Sequence, residues 1–203
     1  MALPGLSQTQ HKILIHLANK LPYYARHCLK IVDKAGMICP LELNKAQLYL
    51  HERLEHQKMT TGMVRAIILK GRQQGCTTYI QARYFHKTNF KANTSAYVLA
   101  HQVESTIKIF GMTQKFRRNL PTDFQLPLEK DTERAMVMDN GSNYSVGTAG
   151  SAQIGRGMTV QLFHGSEVAF YENADALSTG LMQTVADVAG TELIFESTAN
   201  GPG

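Results

Sequence analysis

The stretch "ILKGRQQGCTT", Ile68 to Thr78, decides the fold. An apolar run leads into it, Gly75 sits at the tight point, and hydroxyl residues follow. A strand, a glycine turn and a helix N-terminus in that order make an anion site from backbone alone. The first N–H groups of the helix lack intrahelical partners, and the helix dipole adds positive potential. Gly75 lets the backbone approach a phosphate. Thr77 stands where a GK[ST] loop puts its Mg²⁺ ligand, and Thr78 continues into the helix. Where that loop has its lysine, this chain has Cys76. Positive charge can come instead from the front of the loop, where Lys70 and Arg72 flank Gly71 ahead of Gln73 and Gln74. A long side chain there can fold over the turn, and the planar fork of Arg72 suits phosphate oxygens. The alternative is a plain strand-to-helix turn with incidental basic residues.

Upstream of the loop, Ala66 to Leu69 form a continuous apolar run, the pattern of a parallel strand buried on both faces. Downstream, a helix is expected over 77–87, a second buried strand in "SAYVLAH" from Ser95, and a helix over 104–118. The span 119–132 holds two prolines and reads as a loop. "RAMVMDNGSNYSVGTA" reads as two strands joined at Asn140-Gly141. "MTVQLFHG" is a further strand, 174–188 a helix, and "TELIFES" a last strand. Toward the N-terminus, 7–34 reads as helical with a break at Leu21-Pro22 and Ser7 as a cap. "MICPLELNKAQ" is short and extended, and Asn44 caps a helix over 45–57. Strands alternating with helices imply an open α/β sheet, mostly parallel, with helices on both faces. The expected division is an N-terminal helical segment over 1–38 and a nucleotide domain over 39–203. The sequence stops just after a strand, which reads as a truncation.

Composition narrows the classes. In 203 residues, 43% are hydrophobic, enough for a full core, and the formal charge of +5 permits an anionic partner without requiring one. The small cluster Lys115, Arg117 and Arg118 reads as a solvated helix face. Three cysteines, Cys28, Cys39 and Cys76, have no metal-ligand spacing and make an odd set, which fits a reducing cytosol and not a disulfide scaffold. The eight histidines include no HxxxH pair. No apolar run approaches a membrane span, and the N-terminus lacks a signal-peptide core. A soluble intracellular protein is expected.

A second strand end adds to the loop. "VQLFHGSEVAFYEN" is an apolar strand ending in Ser166-Glu167. Nucleotide hydrolases place two polar residues at the tip of the strand beside the phosphate loop: one on the metal side, and a glutamate that takes a proton from water. Ser166 stands for the usual aspartate without its charge, and Glu167 remains as the base. The alternative for Glu167 is a loop carboxylate in solvent.

The ordered set "LKIVDKAG", "PLELNKAQ", "ILKGRQQGCTT", "LAHQVEST", "GTAGSAQIGRGMT", "LFHGSEVAFYEN" and "IFESTANG" resembles the ATPase domain of the large terminase subunit, the DNA-packaging motor of tailed bacteriophages. The resemblance covers residues 30–203. It implies a P-loop NTPase fold of the RecA-like (ASCE) kind, with ATP and Mg²⁺ as ligands. Gln47 then matches the adenine-recognising glutamine, and residues 70–78 the variant phosphate loop. Arg72 matches the loop arginine and Lys70 a displaced lysine, which leaves open which of the two meets the γ-phosphate. Glu167 matches the catalytic base, Ser166 with Thr77 the metal side, and Arg156 in "GRG" an arginine that reaches a neighbouring subunit's site. Ser197, Thr198 and Asn200 match the coupling motif. The implied partners are double-stranded DNA, the portal protein, the small terminase subunit and further copies of the chain in a ring, all in the host cytoplasm. The family's nuclease domain follows the ATPase domain, so no nuclease activity is expected here. Two rival readings share some features: a helicase-type ATPase, and a non-hydrolysing fragment that only binds the portal or small subunit.

Overall fold

The computed structural model describes residues 7–150, 159–172 and 184–201. Helix α1 (Gln8–Asn19) starts at Ser7, whose hydroxyl accepts from the Gln10 N–H while the Gln10 side chain accepts from the Ser7 N–H. This reciprocal cap satisfies two otherwise unpaired donors. Helix α2 (Leu21–Cys28) carries Pro22 in its first turn, where a missing N–H is harmless. The helix expected to reach Lys34 ends at Cys28. Ile31 and Val32 are β-branched, and Asp33 Oδ1 accepts from the N–H groups of Ala35 and Met37 to fold a turn. Strand β1 (Lys30–Val32) therefore pairs antiparallel with β2 (Ile38–Pro40). Asn44 caps α3 (Lys45–Thr61) in a second reciprocal cap with Gln47. This helix continues past Gln57 until Gly62, in the left-handed region at φ 76°, ends it.

The remaining strands are β3 (Val64–Leu69), β4 (Ser95–Ala100), β5 (Leu128–Asp131), β6 (Ala135–Met138), β7 (Asn143–Thr148), β8 (Leu162–Ser166) and β9 (Glu192–Ser197). They form one seven-stranded sheet in the order β3-β9-β8-β4-β7-β6-β5. The first five in that order are parallel; β6 runs antiparallel to β7, and β5 antiparallel to β6. The mostly parallel α/β sheet read from the sequence is thus observed, and so is the hairpin at Asn140-Gly141. Two expectations change. The span 119–132 is not all loop, because Leu128–Asp131 adds a strand at the sheet's edge. Strand β3 is not buried on both faces: it is the opposite edge strand, with Ile67 84% and Leu69 78% exposed. The helix expected over 174–188 lies mostly outside the described residues; near its end, Val185 forms an isolated parallel bridge with Val160.

Helix α4 (Cys76–Phe90) is buried nearly all round, which marks a helix packed inside a domain. It and α5 (Val103–Arg118) share the main core with Ala96, Val98 and Ala100 of β4, Leu162 of β8 and Ile194 of β9. Leu17 of α1, Tyr24 of α2 and Leu54 of α3 join the same core. A smaller cluster, with Tyr97, Leu99, Phe163 and Leu193, forms on the alternate positions of the strands. Arg83 of α4, fully buried, donates two hydrogen bonds of 2.8 Å to Glu192 at the start of β9, where Lys87 also meets it. Burial would push the Glu192 carboxyl up, but the two cations outweigh this and hold its pKa at about 2. No described helix is long and apolar enough to cross a membrane.

Candidate active site

The five parallel strands end on one edge of the sheet, so the tips of β3, β9 and β8 lie side by side in that order. Ligands of open α/β sheets bind at such carboxyl ends. Beyond β3, the chain turns through Gly71, Arg72, Gln73 and Gln74, all exposed, into α4. Gln73 and Gly75 adopt positive φ (60° and 76°) to make the turn. A Cβ at Gly75 would stand 2.7 Å from Gln47 Nε2, so this position needs glycine for both conformation and space. Gln47 Nε2 donates to the Gly75 carbonyl at 2.8 Å, and Asn44 Nδ2 donates to the Gln74 carbonyl at 3.2 Å. The start of α3 therefore braces the loop. Cys76 is buried, and burial pushes its thiol pKa up, so it supplies no charge. Thr78 is turned away from the tip, its hydroxyl against the Met112 sulfur.

The tip holds two carboxylates and one ammonium. Glu196, fully buried near the end of β9, accepts from Thr77 Oγ1 at 2.9 Å and from Ser166 Oγ at 2.8 Å, both on Oε1. Lys70 Nζ lies 2.7 Å from Glu196 Oε2 and 2.8 Å from Glu167 Oε1, bridging the pair. The approach to Oε2 is poorly aligned, so this oxygen has a charge contact but no hydrogen bond among the described residues. Glu167 adopts a left-handed conformation (φ 56°) just after β8. Its Oε2 accepts from Thr198 N–H at 3.0 Å and Thr198 Oγ1 at 3.1 Å. Burial would raise its pKa, but the bonds from Lys70 and Thr198 prevail and hold it below the ordinary carboxylate value. Behind Glu196, the Tyr144 hydroxyl donates to Gln81 Oε1, so Gln81 Nε2 donates to His164 Nδ1 at 2.9 Å. The His164 proton then sits on Nε2, 3.5 Å from Glu196 Oε1. Burial and the Lys70 charge keep that ring neutral, with a pKa of about 3.

Six of the residues read from the sequence are thus brought together: Lys70 and Thr77 at the two ends of the loop, Ser166 and Glu167 at the tip of β8, and Ser197 and Thr198 at the tip of β9. Asn200 stands beside them, donating to the Ala169 carbonyl at 2.9 Å. Three findings differ from expectation or add to it. Strand β8 is not next to β3, because β9 pairs with both and lies between them. Glu196 was missed, although it sits at the centre of the cluster; its signal was a carboxylate inside the apolar strand "ELIFES". Both ends of the Gln47 amide are engaged within the protein, Nε2 on Gly75 and Oε1 on the Asn44 N–H. Arg72 lies exposed on the loop, and Arg156 falls outside the described residues.

The site thus sits at the carboxyl ends of a mostly parallel sheet, where a glycine-turned loop leads into a central helix and acids stand at two strand tips. No protein-family model matches the sequence, and no curated protein does. Solved structures do match. The chain superposes on the HK97 bacteriophage large terminase with a TM-score of 0.68 at 15% identity, over 89% of this chain and 37% of that one. It superposes on the Thermus phage P74-26 large terminase ATPase domain with a TM-score of 0.57 at 18% identity, over 79% of this chain and 66% of that one. The chain has the fold of large-terminase ATPase domains, and it spans little more than a third of the HK97 protein's length.

Proposed function

We propose that the chain is the ATP-hydrolysing motor domain of a phage terminase, packaging double-stranded DNA in the host cytoplasm. The observation that supports this best is the meeting of three strand tips at one charged cluster within a large-terminase ATPase fold. The triphosphate lies against the loop backbone around Gly75, with the N-terminus of α4 facing its oxygens. Lys70 and Arg72 supply positive charge, and Gln47 braces the loop. An adenine edge would have to compete for a Gln47 amide that is already engaged at both ends.

Mg²⁺ fits the residues present. The hydroxyl oxygens of Thr77 and Ser166 are hard donors that approach the same point beside Glu196 Oε1. Mg²⁺ keeps several waters and takes one or two carboxylates plus substrate phosphates. It needs no cage of three or more acidic, histidine or cysteine ligands, and none exists among the described residues. When bound, the ion offsets charge on the phosphoryl oxygens. Glu167, ionised at neutral pH, orients the attacking water and takes its proton. When Lys70 turns to the γ-phosphate, Glu167 Oε1 is freed for that water. Thr198 holds Glu167 Oε2, which links the base to the end of β9, and Ser197 and Asn200 complete that link. Arg156 reaches a neighbouring copy in a ring seated on the portal, and the small subunit delivers DNA.

The test is DNA-stimulated phosphate release. Glu167→Gln should slow it by roughly 10²–10⁴-fold, the usual contribution of a general base, with nucleotide binding retained. Equal rates would remove Glu167 from the mechanism. Binding without release in the wild type would favour a fragment that does not hydrolyse.

A further inference from the structure

The tip of β8 presents Ser166 where a metal-side carboxylate is expected, so the charge at that position is missing from the strand. We propose that Glu196, on the neighbouring β9, supplies this carboxylate and holds the nucleotide's Mg²⁺ together with Thr77 and Ser166. The proposal rests on the nucleotide-site reading above and extends it to a residue outside the sequence-derived site.

The register places Glu196 between β8 and β3, paired with Ser166 on one side and Ile68 on the other, and Thr77 reaches it from the first turn of α4. Both hydroxyls donate to its Oε1, so all three groups already share a point. A carboxylate fully removed from water costs several kcal/mol unless cations and donors surround it. Its Oε2 faces the Lys70 ammonium at 2.7 Å, and the turn of Lys70 to the γ-phosphate proposed above would free that oxygen for the ion. The row from Tyr144 through Gln81 to His164 ends at Nε2, 3.5 Å from Oε1 and without a hydrogen-bond partner among the described residues. Metal sites use such outer partners to fix the orientation of their ligands. The rival account makes Glu196 only a structural counter-ion for Lys70. That account predicts no change in how metal affects nucleotide binding.

The experiment measures binding of a fluorescent ATP analogue to the 203-residue chain, with excess Mg²⁺ or with EDTA. The wild type should bind more tightly with Mg²⁺. Glu196→Gln, which keeps shape and loses charge, should retain binding in EDTA and lose about tenfold or more of the Mg²⁺-dependent gain, the range seen when metal-site groups are removed. Glu129→Gln, exposed on the far edge strand β5, should keep the gain. The pair Ser166→Asp with Glu196→Gln returns a carboxylate to β8 and should restore it; Glu196→Asp, which preserves the charge, should keep part of it. Folding of each variant is checked by circular dichroism. An undiminished Mg²⁺ effect in folded Glu196→Gln overturns the proposal and leaves the nucleotide site standing. A wild type that binds no nucleotide overturns both.

Discussion

Lys70 and Arg72 both front the phosphate loop, and replacing each by alanine separates their roles. The Lys70 ammonium is largely buried between two carboxylates, one of them fully buried. Arg72 is exposed. Removing one member of a buried ion pair costs roughly 3–5 kcal/mol, because the partner's charge is left uncompensated. Glu196 keeps two hydroxyl donors, so the lower end applies, about 3 kcal/mol. With a urea slope of about 2 kcal/mol/M, the unfolding midpoint of Lys70→Ala should drop by about 1.5 M. Arg72→Ala, touching nothing buried, should stay within about 0.5 kcal/mol of wild type. Lys70→Ala combined with Glu196→Gln removes both charges and should recover most of the loss, a coupling of about 2 kcal/mol. The chain has no tryptophan, so circular dichroism is the appropriate probe. Equal midpoints for the two single variants, or strict additivity in the double, would refute the buried bridge.

Acid should weaken the protein through His86. Its Nε2–H donates to the Leu17 carbonyl at 2.8 Å, and burial, with Lys87 and Arg83 nearby, lowers its pKa to about 4. The unfolded chain takes up the proton first, so stability is intact above about pH 6.5 and falls toward pH 4, by up to about 3 kcal/mol; His86→Gln should flatten that slope in urea melts. Gly75→Ala should cost about 1–2 kcal/mol from its left-handed backbone and break the Gln47 brace, while Gly111→Ala, with open space around it in α5, should be neutral or up to about 1 kcal/mol stabilising in thermal melts.

Local chemistry made the elements legible. Asn44 and Ser7 announced their caps, Asn140-Gly141 its hairpin, and "ILKGRQQGCTT" its strand, turn and helix, because each depends on neighbours in the chain. The order of strands depends on pairings across many residues and left no such mark. Ile67 and Leu69 therefore read as interior, although β3 lies at an edge, and Ser166 read as adjacent to the loop, although β9 intervenes. The same gap hid Glu196. "ESTANG" drew attention to the hydroxyls and amide after it, but only the sheet order with α4 packed at its tip shows that the glutamate meets both metal-side hydroxyls. Arg83, too, carries no mark in the sequence of the buried Glu192 it bonds.

Helix α4 is fastened to β9 twice, by Thr77 on Glu196 and by Arg83 and Lys87 on Glu192. The four-residue interval on the strand spans about 13 Å, and the stretch of helix from Thr77 to Arg83 or Lys87 spans about 9–15 Å, so the two fixings are of matched length. A beam pinned at two separated points neither swivels nor slips. Two such fixings resist both rotation of α4 and its sliding along β9.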